Sequence, residues 1–282
     1  MKWLFPFVAA TALISQRASA DTTVGYAIAR VPIVLTVPGV YHLTKDLIYA
    51  PAAGAAIEIG AGASGTVIDL NGYQLICTAG AANLSTGIFC DGPNRVTVRN
   101  GQVLGFANGV FLVSGDATVK DMLVTPSYKA GITVIGNSAE IQHNRVIATG
   151  GSAVASSTTS IGITLSGTYG NVSDNDVHDT FISDAPGHSA IGILIKDSGN
   201  VVTSNNRVLD VEPAIPNNGG SSTGISTQSS TSLFFLDNIV STDELGFDLS
   251  GASSGDYGDN TTNAPAASYS GASSIVNIGN NN

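Results

Sequence analysis

The residues best suited to chemistry gather in one stretch of this chain: His178, Asp179, Asp184 and His188, followed by Arg207, Asp210 and Glu212. Asp179 and Asp210 recur at matching places in successive repeats, and like charges stacked one above the other repel unless a cation lies between them. Calcium would satisfy that pair, with Asp184 or loop carbonyls completing an oxygen shell. His178, His188 and Glu212 border the same segments and are of the types that move protons. Arg207 can clamp a carboxylate. The candidate catalytic residues are therefore Asp179, Asp210, Arg207, His178 and His188, and the candidate metal ligands are Asp179, Asp210 and Asp184. The plainer reading is a surface of solvated carboxylates, exposed imidazoles and ion pairs worth little each.

These residues can meet only if a repeat stacks them, and the chain carries one. Gly87-Ile88-Phe89-Cys90 recurs as Gly109-Val110-Phe111-Leu112, Gly131-Ile132-Thr133-Val134, Gly162-Ile163-Thr164-Leu165, Gly192-Ile193-Leu194-Ile195, Gly224-Ile225-Ser226-Thr227 and Gly246-Phe247-Asp248-Leu249. The glycines are 22, 22, 31, 30, 32 and 22 residues apart, which is a 22-residue coil with extra residues in three consecutive turns. The first and third residues after each glycine are apolar in nearly every copy while the one between varies, the alternation of a strand with one buried face. Ile132, Ile163, Ile193 and Ile225 are thus expected in one core column.

A second series sets the corners. Asn100, Asn144, Asn175, Asn206, Asn238 and Asn260 follow their glycines by 13 or 14 residues, with Asn71 and Asp121 in equivalent places. Asn and Asp tolerate tight-turn backbone, and stacked about 4.8 Å apart their amides can bond along the axis. In this register Lys120, His143, Asp174 and Asp237 share the column before the asparagines. Arg145, Asp176 and Arg207 share the column after, with Asp179 and Asp210 three further on. The extra residues fall at 150–160, 181–189 and 212–222, each after an asparagine corner, so they emerge from one flank, where a rigid scaffold concentrates binding groups.

Composition bounds the rest. Charged residues make up only 11% of the chain, glycine is abundant at 33 residues, and the net charge is −10, which disfavours nucleic acid and anionic membrane as partners. Residues 1–20 read as a secretory signal peptide, with basic Lys2, an apolar run from Trp3 to Ile14 and a small-residue site at Ala18-Ser19-Ala20. The mature chain is expected to be secreted or periplasmic, without a membrane span. Cys77 and Cys90 are either bonded across the loop between them or two buried thiols.

The stretches Pro38-Gly39-Val40-Tyr41, Ala56-Ile57-Glu58-Ile59, Val67-Ile68-Asp69-Leu70-Asn71-Gly72 and Val96-Thr97-Val98-Arg99-Asn100-Gly101 resemble bacterial proteins of the pectin-lyase-like superfamily. The resemblance covers almost all of the mature chain and implies an all-β fold, a right-handed parallel β-helix. The expected organisation is one domain over 21–282: an N-terminal cap at 21–54, regular coils at 55–250 and a polar end at 251–282, fraying at Asn280-Asn281-Asn282. The superfamily implies a polysaccharide or cell-surface glycan as partner, and lyase, hydrolase or epimerase chemistry where there is catalysis. A pectate-lyase-type elimination would cast Asp179 and Asp210 as calcium ligands and Arg207 as base. Gly187-His188-Ser189 partly echoes the polygalacturonase pattern, but Ser157-Thr158-Thr159-Ser160 stands where that family pairs two acids. The competing class is a non-catalytic structural or adhesive β-helix.

Overall fold

The computed structural model describes residues 25–154, 159–182, 188–212, 221–242, 244–264, 267–271, 273 and 275–281. The expected signal peptide and Asp184 lie outside these residues. The described elements are all strands, and each pairs in parallel with the strand one coil away. One coil shows the plan. Ser127–Ile135 runs in a first sheet, Glu140–Gln142 in a second and Arg145–Thr149 in a third, and the chain then rises one rung into Thr159–Thr168. This is the right-handed parallel β-helix expected from the repeat. Among the described residues no helix is long and apolar enough to cross a membrane.

The repeat pattern becomes the core. Ile132, Ile163, Ile193 and Ile225 pair rung to rung and are fully buried, as their spacing predicts. The glycines before them are required by close approach. A Cβ on Gly162 would lie 2.5 Å from Val177 Cγ1 and 2.6 Å from the Gly192 carbonyl oxygen, and Gly131 and Gly192 face Val146 and Val208 in the same way. A valine column in the third sheet, Val124, Val146, Val177, Val208 and Val240, fills the space left by missing side chains in the first.

The asparagine corner holds two columns. Asn144, Asn175, Asn206, Asn238 and Asn260 are buried. Each passes an amide N–H to the next Oδ1 along the axis at 2.9–3.2 Å, ending on Asn281. Each also donates to a backbone carbonyl, for example Asn206 Nδ2 to Val172 O at 2.8 Å. The residue before each ladder member takes a left-handed backbone, with φ of 54–58° at His143, Asp174, Asn205, Asp237 and Asp259. Asp and Asn are frequent there because they tolerate αL. This corrects the expected register. Asn71, Asn100 and Asp121, at φ 51°, 59° and 55°, are left-handed residues rather than ladder members, and Lys120 pairs with Gln142, one residue before His143. Asn281 accepts the last hydrogen bond of the described ladder.

The segment expected as a cap and first incomplete turn carries strands paired to the next coil. Ile33–Leu35 pairs with Ile57–Ile59, Val40–His42 with Val67–Asp69, and Leu47–Tyr49 with Leu75–Cys77. Cys77 and Cys90 are free and buried, which decides between the two sequence readings. Burial, with Asp91 adding to it, pushes the Cys90 thiol up to about 11, so it carries no thiolate chemistry at neutral pH.

Candidate functional site

Four of the expected site residues lie on the third sheet. Arg145, Asp176 and Arg207 stack on successive rungs, and Asp176 accepts from Arg207 Nη1 at 3.2 Å and forms an ion pair with Arg145 Nε at 3.5 Å. His178 sits beside them with its Nδ1 2.9 Å from Asp179 Oδ2 and its Nε2 3.4 Å from Arg145 Nη2. The arrangement suits a neutral imidazole that donates from Nδ1 to Asp179 and accepts at Nε2, so both ring nitrogens are engaged. Exposed pairs of this kind add little stability each.

Asp179 and Asp210 occupy successive rungs, each inserted between the paired residues His178↔Leu209 and Thr180↔Val211. Both are left-handed, at φ 56° and 52°, and Ala148 holds the same conformation one rung earlier at 54°. The position is therefore defined first by its backbone, which Asp adopts more readily than most residues. Asp179 turns its carboxylate to His178. Arg207 is committed to Asp176. His188 stands apart, at the entry to the first-sheet strand Ser189–Ser204, where its carbonyl accepts from Ser221 N at 3.2 Å. Among the described residues no group of three or more His, Cys, Asp or Glu is placed to hold a metal.

A concave feature among the described residues lies on the outer face of the first sheet. A groove of about 950 Å³ runs along it from Asn108 and Phe111 to Asp248 and Ser250. Its floor includes Thr133, Thr164, Leu194 and Ser226, which stand at the outward-varying repeat position yet are only 8–9% exposed, so the groove is deep. Ile161 and Ile191 stack along one side, and Ile135, Ser166, Lys196 and Gln228 line the other. Lys129 and Lys196 supply cationic groups, and Asp197 and Asp248 the carboxylates. At one end Phe111 stacks on Phe89 with ring centroids 5.9 Å apart. Ala153 N donates to Ala81 O at 3.1 Å, which ties the first insertion to the loop after Cys77.

His178, Asp179, Arg207, Asp210 and His188 are not among the residues that line this groove. Sequence reasoning followed the insertions and left the variable position between the two apolar columns unread. A signal was present there: phenylalanine at that place in two consecutive repeats, at Phe89 and Phe111, where a solvated strand face needs none.

No curated protein matches the chain in sequence. Among solved structures it is similar to the enzymatically active domain of tailspike protein 2 of bacteriophage CBA120, with 16% identity, TM-score 0.60 and coverage of 90% of this chain and 41% of that one. It is also similar to the Dettilon tailspike protein, with 12% identity, TM-score 0.55 and coverage of 84% of this chain and 55% of that one. The chain thus spans about half or less of the length of these structures, and the likeness is one of fold. The family model described as the right-handed β-helix region matches residues 86–282. By that match and by the coil it forms, the chain belongs to the right-handed β-helix family.

Proposed function

We propose that this protein is an extracytoplasmic glycan-engaging β-helix that holds a polysaccharide or cell-surface glycan lengthwise in the groove on the outer face of its first sheet. The observation that carries the reading is the groove itself, a long, deep trough of about 950 Å³ whose floor mixes apolar side chains with hydroxyl and amide groups. Extended glycans present that alternation of C–H faces and hydroxyls, and a rigid rung-by-rung floor contacts successive units without ordering cost.

Filling the floor tests the site. Thr164→Trp is expected to weaken binding to any glycan the wild type retains by at least tenfold, while Arg207→Ala on the third sheet leaves it unchanged. The measurement is calorimetric titration against a polysaccharide panel. Reducing ends and unsaturated-product absorbance, followed in the same mixtures, separate cleavage from binding. Binding that ignores Thr164→Trp but is lost in Arg207→Ala would move the site to the third sheet.

A second reading places calcium between Asp179 and Asp210, with Arg207 beside them for an elimination; it is favoured by the stacking of the two acids on successive rungs. A site that binds only the native state raises stability by about 2.7 kcal/mol at a hundredfold excess over Kd, a melting shift of a few degrees. On this reading calcium raises the wild-type Tm relative to chelator, and the double change Asp179→Asn, Asp210→Asn removes the shift. Coincident wild-type curves leave the two acids as left-handed corner residues and nothing more.

A further inference from the structure

We infer that the groove takes a neutral glycan whose units carry methyl groups, as a 6-deoxy carbon or as an acetyl. The inference rests on reading the groove as a glycan site and concerns what that site selects. Midway along one side of the groove Ile161 and Ile191 stack on consecutive rungs, with Leu194 of the floor on the second of those rungs and Ile135 on the other side. Contiguous apolar side chains of this kind on an outer sheet face mark a contact surface. A sugar hydroxyl pressed onto it loses its water partners and gains none, whereas a methyl group gains contact.

The kind of apolar residue narrows the choice. The bare C–H face of a sugar ring is matched by a flat aromatic, and the floor supplies that only at the Phe89–Phe111 end. Branched aliphatic side chains instead leave gaps the size of a methyl. Each methyl buried there improves Kd about fourfold, so two or more give tenfold or better. Beyond the aliphatic stretch Ser226 and Gln228 offer donors and acceptors for hydroxyls.

Charge points to a neutral chain. The groove balances Lys129 and Lys196 with Asp197 and Asp248, and Lys196 Nζ already lies 4.0 Å from Asp197 Oδ2. A polyanion would meet a carboxylate for every ammonium in a protein of net charge −10.

Calorimetry with matched probes tests this on the whole protein. The N-acetylglucosamine hexamer is paired with cellohexaose, a 6-deoxyhexose oligomer with its hexose counterpart, and polygalacturonate serves as the anionic arm. At least one methyl-bearing member is expected to bind tenfold or more tightly than its partner, and which pair shows the difference tells acetyl from deoxy. Replacing the half-buried groove residue in Ile191→Asn should cut that ratio at least threefold with an unchanged circular dichroism spectrum. Equal binding within both pairs, or tightest binding to polygalacturonate, still blocked by Thr164→Trp, overturns the methyl preference and leaves the glycan site standing. Absence of binding to every probe, or binding indifferent to Thr164→Trp, overturns both.

Discussion

Ile163→Asp is expected to abolish cooperative folding. Ile163 is fully buried and pairs with Ile132 below and Ile193 above, so the carboxylate would enter the apolar column between two coils. The change forfeits about 1.5–3 kcal/mol of side-chain burial. It also buries a charge with no partner, which costs several kcal/mol more even after the group shifts toward its neutral form. Together these approach the whole of a typical domain's 5–15 kcal/mol. In a solenoid each coil leans only on its neighbours, so a broken interior coil uncouples both halves. The check is denaturant unfolding followed by circular dichroism, beside Ser166→Asp on the outer face of the same strand, expected within about 0.5 kcal/mol of wild type. A wild-type-like transition for Ile163→Asp would show that the inward register is wrong.

Asn206→Leu should cost about 3–5 kcal/mol although it keeps the same number and branching of side-chain heavy atoms. Asn206 Oδ1 accepts from the backbone N–H and the Nδ2 of Asn175, while its own Nδ2 donates to Val172 O and to Asn238 Oδ1. The leucine leaves those groups facing an apolar side chain in a position only 1% exposed, and a buried polar group without a partner costs about 1–3 kcal/mol. Relaxation and partial repair keep the total below the simple sum. Asn206→Asp is a useful companion because it retains the acceptor half and loses the donor half. Urea melts of the two variants measure the ladder: a loss under about 1 kcal/mol in both would mean that the amide chain adds little beyond filling space.

Much of the fold was legible because its determinants are local and recur. Gly162-Ile163-Thr164-Leu165 needs no distant information to announce a strand with one buried face, and seven copies in step supply the axis along which such strands stack. The ion-pair column Arg145–Asp176–Arg207 followed from the same count and stands in the structure. Where counting reached its limit the error was one residue. Asn100 was grouped with the ladder although it precedes Gly101, and only backbone dihedrals tell a left-handed corner residue from the buried amide beside it. The two columns use similar residue types for different reasons: one needs a backbone that Asp, His and Asn all allow, the other an amide that both donates and accepts, which among them Asn alone provides.

The sequence by itself therefore determined the coil, its core columns and its asparagine spine, since each is written in a period of two within a strand or of 22 to 32 between coils. It did not determine the groove. The outward positions Phe111, Thr133, Thr164, Leu194, Ser226 and Asp248 obey no pattern when read along the chain, because nothing in the core constrains them. They become one surface only when six rungs, separated by up to 32 residues each, are stacked about 4.8 Å apart. Concavity is likewise a property of neighbouring rungs and flanks together, so the tertiary structure alone could move the candidate site from the acids of the third sheet to the trough on the first.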